Sequence, residues 1–151
     1  MSFRFSDPAD AAPLGRGAAA RSPDRRRARR RGGRYRDADR AADRVAERCR
    51  CVETVVAHAF GVALADLRHE TRGHAPVAFA RQVAMYVVHV WFGCSLSAVG
   101  RCFGRDRTTV AHACRVVEDR REDRRVDRLI SAIEVASGLY EGLSDGLEGE
   151  R

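Results

Sequence analysis

Hydrophobic residues recur every three to four positions through most of the chain, a spacing typical of helices that bury one face. No stretch alternates hydrophobic and polar residues with a period of two, so no β-strand is predicted. Helices are expected over about Asp39 to Phe60, Val77 to Phe92, Ser95 to Phe103, Arg107 to Val117 and Arg124 to Tyr140, with a short helical turn between Ala63 and Arg68. The predicted fold class is therefore all-α, a small helical bundle.

A tight turn joins two of these helices near the middle of the chain. Ser95 can cap the first helix, because its hydroxyl can accept a hydrogen bond from a backbone N–H of the first turn. Gly100 lets a neighbouring helix approach closely. Gly104 can adopt the left-handed conformation that ends the helix, and Asp106 can cap the next one. This order of helix, turn and helix predicts a helix-turn-helix.

The second helix of this motif has a hydrophobic face and a polar face. The residues expected to pack inward are Val110, Ala113, Cys114 and Val117. The residues expected to face outward are Arg107, Thr108, Thr109, His112 and Arg115. Such side chains can reach base edges and phosphates, so this face suits the major groove of DNA. Periodicity alone leaves an ordinary helical hairpin with a solvated polar face as an equally good interpretation.

Several short blocks of sequence stand in a fixed order between Val77 and Glu118. They are Ala80-Arg81-Gln82-Val83-Ala84-Met85-Tyr86, Ser95-Leu96, Val99-Gly100, Phe103-Gly104 and Arg105-Asp106-Arg107-Thr108-Thr109-Val110-Ala111-His112-Ala113. In order and spacing these blocks resemble the C-terminal, DNA-binding domain of the bacterial replication initiator DnaA. A weaker resemblance extends from about Val45 to about Tyr140. The resemblance as a whole implies a stand-alone helix-turn-helix domain, without the ATPase module, that binds double-stranded DNA at DnaA-box-like sites.

The resemblance also implies roles for individual residues of the second helix. Thr108 and Thr109 match a threonine pair that contacts bases, and His112 matches a histidine on the DNA side. Asp106 matches an aspartate that can cap the helix and accept a hydrogen bond from a cytosine amino group. Arg107 stands where the family has histidine. Because arginine can bind guanine through two hydrogen bonds, the preferred sequence is expected to differ.

Further DNA contacts are expected from residues around this helix. Arg81 and Gln82 match family residues that contact DNA from the start of the long helix before the motif. Arg101 and Arg105 suit phosphates better than bases, and Arg115 belongs to the outward face of the second helix.

The chain departs from the family pattern in two places. The turn from Phe103 to Asp106 is one glycine shorter, which can rotate the second helix relative to the first. Phe79 stands where the family has an arginine that enters the minor groove, and Arg72 is the only basic residue nearby. Since Phe79 suits a hydrophobic core, weaker minor-groove contacts and weaker or broader specificity are expected.

Charge is distributed unevenly along the chain. The net charge of +7 comes from residues 1–38, which hold 11 arginines and 4 aspartates. Residues 39–151 hold 17 arginines and 17 acidic residues. Within them, the segment Arg72 to Arg115 has a charge of +5, and the segment Glu118 to Glu150 a charge of −5. The positive segment coincides with the helix-turn-helix, as contact with phosphates requires.

Composition and charge together predict three regions. Residues 1–38 lack hydrophobic periodicity and are expected to form a disordered, arginine-rich tail that attracts DNA phosphates non-specifically. The DNA-binding domain is expected at 39–142, and a frayed acidic C-terminus at 143–151.

Several classes of function are disfavoured by residue content. All 28 basic residues are arginine, so the chain lacks the lysine of an ATPase phosphate-binding loop, and neither nucleotide nor cofactor is expected. The five cysteines are expected to be reduced and to serve mostly as packing residues. A zinc site formed by Cys49, Cys51 and His58 is not expected, because no second pair of ligands completes it. No histidine pairs with a carboxylate at catalytic spacing, so no catalytic residue and no enzyme are predicted. No run of about 18 apolar residues predicts a membrane span.

Two functional hypotheses remain open. The favoured one is a cytoplasmic, nucleoid-associated protein that binds double-stranded DNA sequence-specifically, regulating replication initiation or transcription, or competing with the replication initiator for its sites. The alternative is a protein-interaction module with weak or non-specific DNA binding. In that case the acidic last helix and the arginine- and threonine-rich face would dock another protein.

Overall fold

A computed structural model of the protein describes residues 23–69 and 74–148. Over these residues the backbone forms six α-helices and no strand. They are α1 (Pro23–Phe60), α2 (Leu64–Arg68), α3 (Ala75–Tyr86), α4 (Leu96–Phe103), α5 (Arg107–Arg120) and α6 (Arg124–Glu148). A π-helical segment, Val87–Trp91, extends α3. The predicted all-α class is confirmed.

The first and last helices are longer than the hydrophobic pattern predicts. Helix α1 already includes residues 23–38, which composition assigns to the tail, while residues 1–22 lie outside the described residues. Arginine and alanine are strong helix formers, and proline is favoured at a helix start. Helix α6 continues past Tyr140 to Glu148. The chain divides into two units, Met1–Tyr35 and Arg36–Arg151, and the core and site described below belong to the second.

A hydrophobic core joins all six helices, with α2 contributing Leu67. Its fully buried side chains are mostly valines and isoleucines, namely Val52, Val56, Val83, Val87, Val88, Val99, Val110, Val117 and Ile130. Burial of such apolar surface contributes about 25 cal/mol per Å² and is the main force that holds the helices together. Periodicity predicts inward positions for Val45, Cys49, Val52, Val56 and Ala59 of α1 and for Val126, Leu129, Ile130, Ile133 and Tyr140 of α6. Ala59 and Tyr140 are exposed, and the others are buried or half-buried.

Trp91 is a further exception: its helical spacing after Ala84 and Val88 predicts an inward position, but it is 48% exposed. The π-helical segment Val87–Trp91 explains the difference, because its wider turn shifts the side-chain register from that of an α-helix. Its backbone closes with a hydrogen bond from Phe92 N–H to the carbonyl of Val87.

An arginine in the α5–α6 turn ties three helices together. Arg121 Nε donates to Asp127 Oδ1 at 2.7 Å, and Nη1 donates to Glu134 Oε1 at 2.7 Å and to the Tyr86 hydroxyl at 3.2 Å. Nη2 donates to Ser131 Oγ at 3.2 Å. Burial lowers the pKa of Arg121, but its hydrogen bonds to Glu134 and Asp127 outweigh this, so the pKa is raised above its usual value. These contacts hold α6 against α3 through the turn.

Two ion pairs connect α1 with its neighbours. Arg48 Nε donates to Glu141 of α6, and its guanidinium lies 5.3 Å from the Phe92 ring centroid. Arg68 of α2 donates from Nη2 to the buried Glu53 of α1 at 2.7 Å. Helix α2 is thereby fixed beside α1, which positions the segment that precedes α3.

Four of the five cysteines are buried, and Cys102 is exposed. Burial raises the pKa of Cys51 and of Cys114 to about 11, so their reactive thiolate forms are scarce at neutral pH.

Alkylation with iodoacetamide at neutral pH is therefore expected to modify Cys102 first. Peptide mapping by mass spectrometry checks this, and Cys102→Ser should remove the fast phase. Rapid labelling of Cys51 or Cys114 in the folded protein would contradict the packing described here.

Within the described ranges, no helix combines the length and the hydrophobicity needed to cross a membrane. The same residues contain no group of three or more histidine, cysteine, aspartate or glutamate side chains that could hold a metal ion.

Candidate nucleic-acid interface

The turn between α4 and α5 is built by short-range hydrogen bonds. Ser95 caps α4, since its Oγ accepts a hydrogen bond from the Ala98 N–H at 3.2 Å. Gly104 ends α4 in the left-handed conformation, with φ 60° and ψ 40°. The Arg105 N–H then donates to the carbonyl of Gly100 at 2.8 Å. The helix-turn-helix that these residues predicted is confirmed, including the roles of Ser95 and Gly104.

Gly100 is buried at the tightest point of this turn. A Cβ on Gly100 would lie 2.5 Å from the carbonyl oxygen of Arg105 and 3.5 Å from the backbone nitrogen of Arg107. The close approach is therefore made by the backbone of the turn, where the sequence suggested a neighbouring helix. Only a glycine allows α5 to leave α4 at this distance and angle.

Asp106 occupies the N-cap position of α5, as predicted, with an extended backbone at φ −71° and ψ 150°. The predicted side-chain hydrogen bond to the helix is wrong, because the Asp106 carboxylate makes no capping contact. The exposed carboxylate still stands at the positive end of the α5 dipole, between Arg105 and Arg107.

The two faces of α5 are arranged as the hydrophobic pattern predicts. The inward residues Val110, Ala113, Cys114 and Val117 are buried. The outward residues Arg107, Thr108, Thr109, His112 and Arg115 are all exposed. The first two turns of α5 therefore present cationic, hydroxyl and imidazole groups together. Such groups can donate hydrogen bonds to phosphates and to base edges.

An open depression of about 540 Å³ lies over the turn between α4 and α5. Its lining includes the arginines Arg101, Arg105 and Arg107, the hydroxyl residues Ser97 and Thr109, and one acidic residue, Asp106, so cationic groups outnumber the single carboxylate. Such a surface can hold the anionic backbone of a nucleic acid. Sequence reasoning missed Ser97, although its position one helical turn before Arg101 places the two residues on one face of α4.

Two of the arginines predicted to bind DNA are engaged by the protein's own backbone. Arg81 is 7% exposed, and it donates from Nε to the Leu67 carbonyl and from Nη2 to the Asp66 carbonyl, both at 2.8 Å. Burial lowers the pKa of Arg81, and the charge of Arg105 lowers it further. Arg105 Nη2 donates to the His69 carbonyl at 3.3 Å. Arg81 thus holds the C-terminal end of α2 against α3, and Arg105 holds the residue that follows α2 against the turn between α4 and α5.

The remaining predicted positions on α3 are partly covered. Gln82 is half-buried beside Arg81. Phe79 is also half-buried, with its ring at 5.8 Å from that of Phe60 in an edge-to-face arrangement and at 4.5 Å from the guanidinium of Arg120. Phe79 therefore packs against the core, while Arg72 lies outside the described residues.

Comparison with protein families identifies the region that contains this site. The family described as "Bacterial dnaA protein helix-turn-helix" matches residues 50–117, which run from the middle of α1 through α5. Helix α6 and the first half of α1 lie outside the match. The resemblance noted from the sequence is thus confirmed for the core of the domain.

Individual relatives match over segments of similar length. The chromosomal replication initiator protein DnaA 2 of Chlamydia pneumoniae is 39% identical over 72 residues, which cover 46% of this chain and 16% of the relative. DnaA of Lactococcus lactis subsp. cremoris is 39% identical over 70 residues, covering 46% of this chain and 15% of the relative. This chain therefore spans less than one fifth of the length of each of these relatives.

A solved structure has a similar fold over part of its length. It is described as the crystal structure of a DNA replication initiation factor, with a TM-score of 0.59 and 27% sequence identity. The similarity covers 66% of this chain and 30% of that chain. About two thirds of this chain thus has a fold similar to part of that structure.

Proposed function

We propose that this protein, whose residues 50–117 form a DNA-binding helix-turn-helix domain of the bacterial DnaA type, reads specific sequences in duplex DNA. The observation that carries the proposal is the exposed start of α5, where Arg107, Thr108 and Thr109 stand together. Their helix is held at a fixed angle by the Gly100 turn. A rigid helix with such an exposed N-terminal face can enter a major groove and contact base edges.

The predicted residues divide into direct contacts and positioning residues. We assign base contacts to Asp106, Arg107, Thr108, Thr109 and His112, because they cluster at the exposed start of α5. Arg101 and Arg115 are exposed on either side and are assigned to phosphates.

Arg81 and Arg105 are assigned a different role. Since both donate to backbone carbonyls at the end of α2, their main contribution is to position the elements that flank α5. Gln82, half-buried on α3, is assigned a peripheral contact at the edge of the interface.

Thr109→Ala tests base reading by α5. We expect it to weaken binding to a DnaA-box duplex by about 1–3 kcal/mol, with little change on a scrambled duplex of equal composition. Fluorescence anisotropy titrations of the full chain over a series of salt concentrations give both affinities. Thr54→Ala is the matched control, because Thr54 is exposed on α1 and its hydroxyl donates only to the Arg50 carbonyl among the contacts seen.

Each outcome of this titration decides a different point. Equal losses on box and scrambled DNA would reject base reading by Thr109. Equal and strongly salt-dependent binding of both duplexes by the unaltered chain would reject box specificity in favour of non-specific phosphate binding. Absence of binding at low salt would favour a protein-interaction module instead.

We further infer that the protein works without catalysis, on the nucleoid, by occupying sites that a replication initiator also uses. The chain contains no lysine and so lacks the phosphate-binding lysine of an ATPase. Occupation of shared sites without ATP-driven assembly would block initiation.

Overexpression of this protein in a cell that carries a plasmid with an initiator-dependent origin should lower the plasmid copy number. A rise in copy number would contradict competition with the initiator for its sites.

A further inference from the structure

Three cysteines from distant parts of the chain meet beside the first helix of the helix-turn-helix. Cys49 lies on α1, Cys94 lies between the π-helical segment and α4, and Cys102 lies on α4. The thiols of Cys49 and Cys102 share a hydrogen bond, and Cys94 lies close enough to interact electrostatically with Cys49. All three are free thiols. We call these three residues the thiol cluster.

Cys94 is held in the thiol cluster by contacts with α1. Its Sγ donates to the carbonyl of Phe92 at 4.0 Å, and the same carbonyl accepts a hydrogen bond from Arg48 Nη1 at 3.5 Å. The Arg48 guanidinium also donates to the Cys94 sulfur. Because Arg48 and Cys49 are consecutive in the chain, these contacts fix the segment before α4 against the part of α1 that carries Cys49.

The members of the thiol cluster differ in their access to solvent. Cys102 is exposed, whereas Cys49 is only 4% and Cys94 only 6% exposed. Burial raises the pKa of Cys49, and its hydrogen bond with Cys102 raises it further, so the reactive thiolate of Cys49 is scarce at neutral pH. An oxidant from solvent therefore reaches Cys102 first, and the Cys49 sulfur is in contact with Cys102 from the core side.

The other two cysteines lie elsewhere in the core. Cys51 Sγ donates to the Ser137 carbonyl of α6 at 3.7 Å, and Cys114 lies on the inward face of α5. Both are buried. They provide matched controls, because they are buried thiols like Cys49 but lie outside the thiol cluster.

We propose that Cys102 is an oxidation site for hydroperoxides and that Cys49 converts the oxidised form into a disulfide. In the first step the Cys102 thiolate attacks a peroxide oxygen, the O–O bond breaks, and Cys102 becomes a sulfenic acid. The hydroxide that leaves takes up the proton that Cys102 had lost. In the second step the Cys49 sulfur attacks the Cys102 sulfur, the S–O bond breaks, and the oxygen leaves as water with the proton of Cys49. Two thiols and one hydrogen peroxide thus give one disulfide and two water molecules.

The disulfide has two consequences for the protein. It joins α1 to α4, so the first helix of the helix-turn-helix becomes covalently attached to the core helix behind it. It also protects Cys102 from further oxidation to a sulfinic acid, a product that simple thiols do not reduce.

Peptide mapping of the full chain after treatment with hydrogen peroxide identifies the pairing directly. Trypsin cleaves after arginine and places each cysteine on a peptide of its own, namely residues 49–50, 51–68, 82–101, 102–105 and 108–115. With free thiols blocked by iodoacetamide, the expected product is peptide 49–50 joined to peptide 102–105. Reduction with dithiothreitol should separate the two peptides.

Cys49→Ser tests the conversion to a disulfide. Because the sulfenic acid of Cys102 then persists, its labelling by dimedone should rise by about fivefold or more over the unaltered chain. Cys102→Ser should slow peroxide consumption by about tenfold or more, since the four remaining thiols are buried. Cys114→Ser removes a buried thiol outside the thiol cluster and should leave the yield of the disulfide unchanged.

The remaining outcomes would overturn the proposal. A product that joins Cys102 to Cys94, or the Cys102 residues of two chains to each other, rejects the pairing with Cys49. Dimedone labelling that Cys49→Ser leaves unchanged rejects the second step, and peroxide consumption that Cys102→Ser leaves unchanged rejects the first. The unaltered chain and the exposed-site variant Cys102→Ser decide the matter even if Cys49→Ser fails to fold. No DNA is present, so the result is independent of the proposed DNA-binding function.

Discussion

Arg121→Ala is expected to lower the free energy of unfolding by about 3–5 kcal/mol, the usual cost of removing one partner from a buried ion pair. Arg121 donates hydrogen bonds to Glu134, Asp127, Tyr86 and Ser131. Its loss leaves Glu134, only 8% exposed, with an uncompensated charge. Guanidinium denaturation followed by circular dichroism measures the loss, and the thermal midpoint should fall by on the order of 10 °C.

Arg124→Ala is the matched control for this change. Arg124 begins α6 close to Arg121 in the chain but is exposed, so its replacement should change stability by about 0.5 kcal/mol or less. A double variant, Arg121→Met with Glu134→Leu, removes both charges and should recover part of the loss. If Arg121→Ala proves as mild as Arg124→Ala, the α5–α6 turn is not held by this network.

Gly100→Ala is expected to damage both folding and DNA binding. The added Cβ would lie 2.5 Å from the carbonyl oxygen of Arg105, which belongs to the backbone and cannot rotate away. The turn must open, at a cost of about 1–3 kcal/mol typical of overpacking. Because α5 would then leave the turn at another angle, its exposed face should lose affinity for the preferred duplex even where the protein remains folded. Denaturation and anisotropy titration measure the two effects.

Gly142→Ala provides the control, since it makes the same substitution inside α6 where nothing lies within 4 Å of the added Cβ. Helix propensity alone predicts a gain of about 0.5–1 kcal/mol there, with DNA binding unchanged. If Gly100→Ala lowers the free energy of unfolding and Gly142→Ala raises it, the destabilisation is specific to the turn. A Gly100→Ala protein that keeps both stability and affinity would disprove the tight crossing described here.

The helix-turn-helix could be predicted from sequence because its signals are local. Ser95 caps α4 and Gly104 ends it through contacts within a few residues, so nearby residue types suffice to predict both. The inward and outward faces of α5 follow from helical periodicity for the same reason. Asp106 shows the limit of such reasoning, since its N-cap position was predictable but its side-chain contact was not.

The roles of the arginines could not be separated in the same way. Arg81 and Arg107 both match positions that suggest DNA binding, yet Arg81 is buried against the end of α2 whereas Arg107 is exposed. The carbonyls of Asp66 and Leu67 reach Arg81 only because α2 folds back onto α3. No spacing pattern in the sequence predicts this contact between Arg81 and the end of α2.

The sequence by itself determined the helical class, the turn between α4 and α5, the two faces of α5 and the resemblance of the central segment to the DnaA helix-turn-helix. Each depends on residues close together in the chain. Only the tertiary structure decided that Arg81 holds α2, that Trp91 is turned outward and that Leu139 and Leu143 of α6 stay uncovered. The physical reason is that a hydrophobic or cationic side chain favours the same local helical structure whether or not another helix covers it. Which face is covered depends on helices brought together from distant parts of the chain.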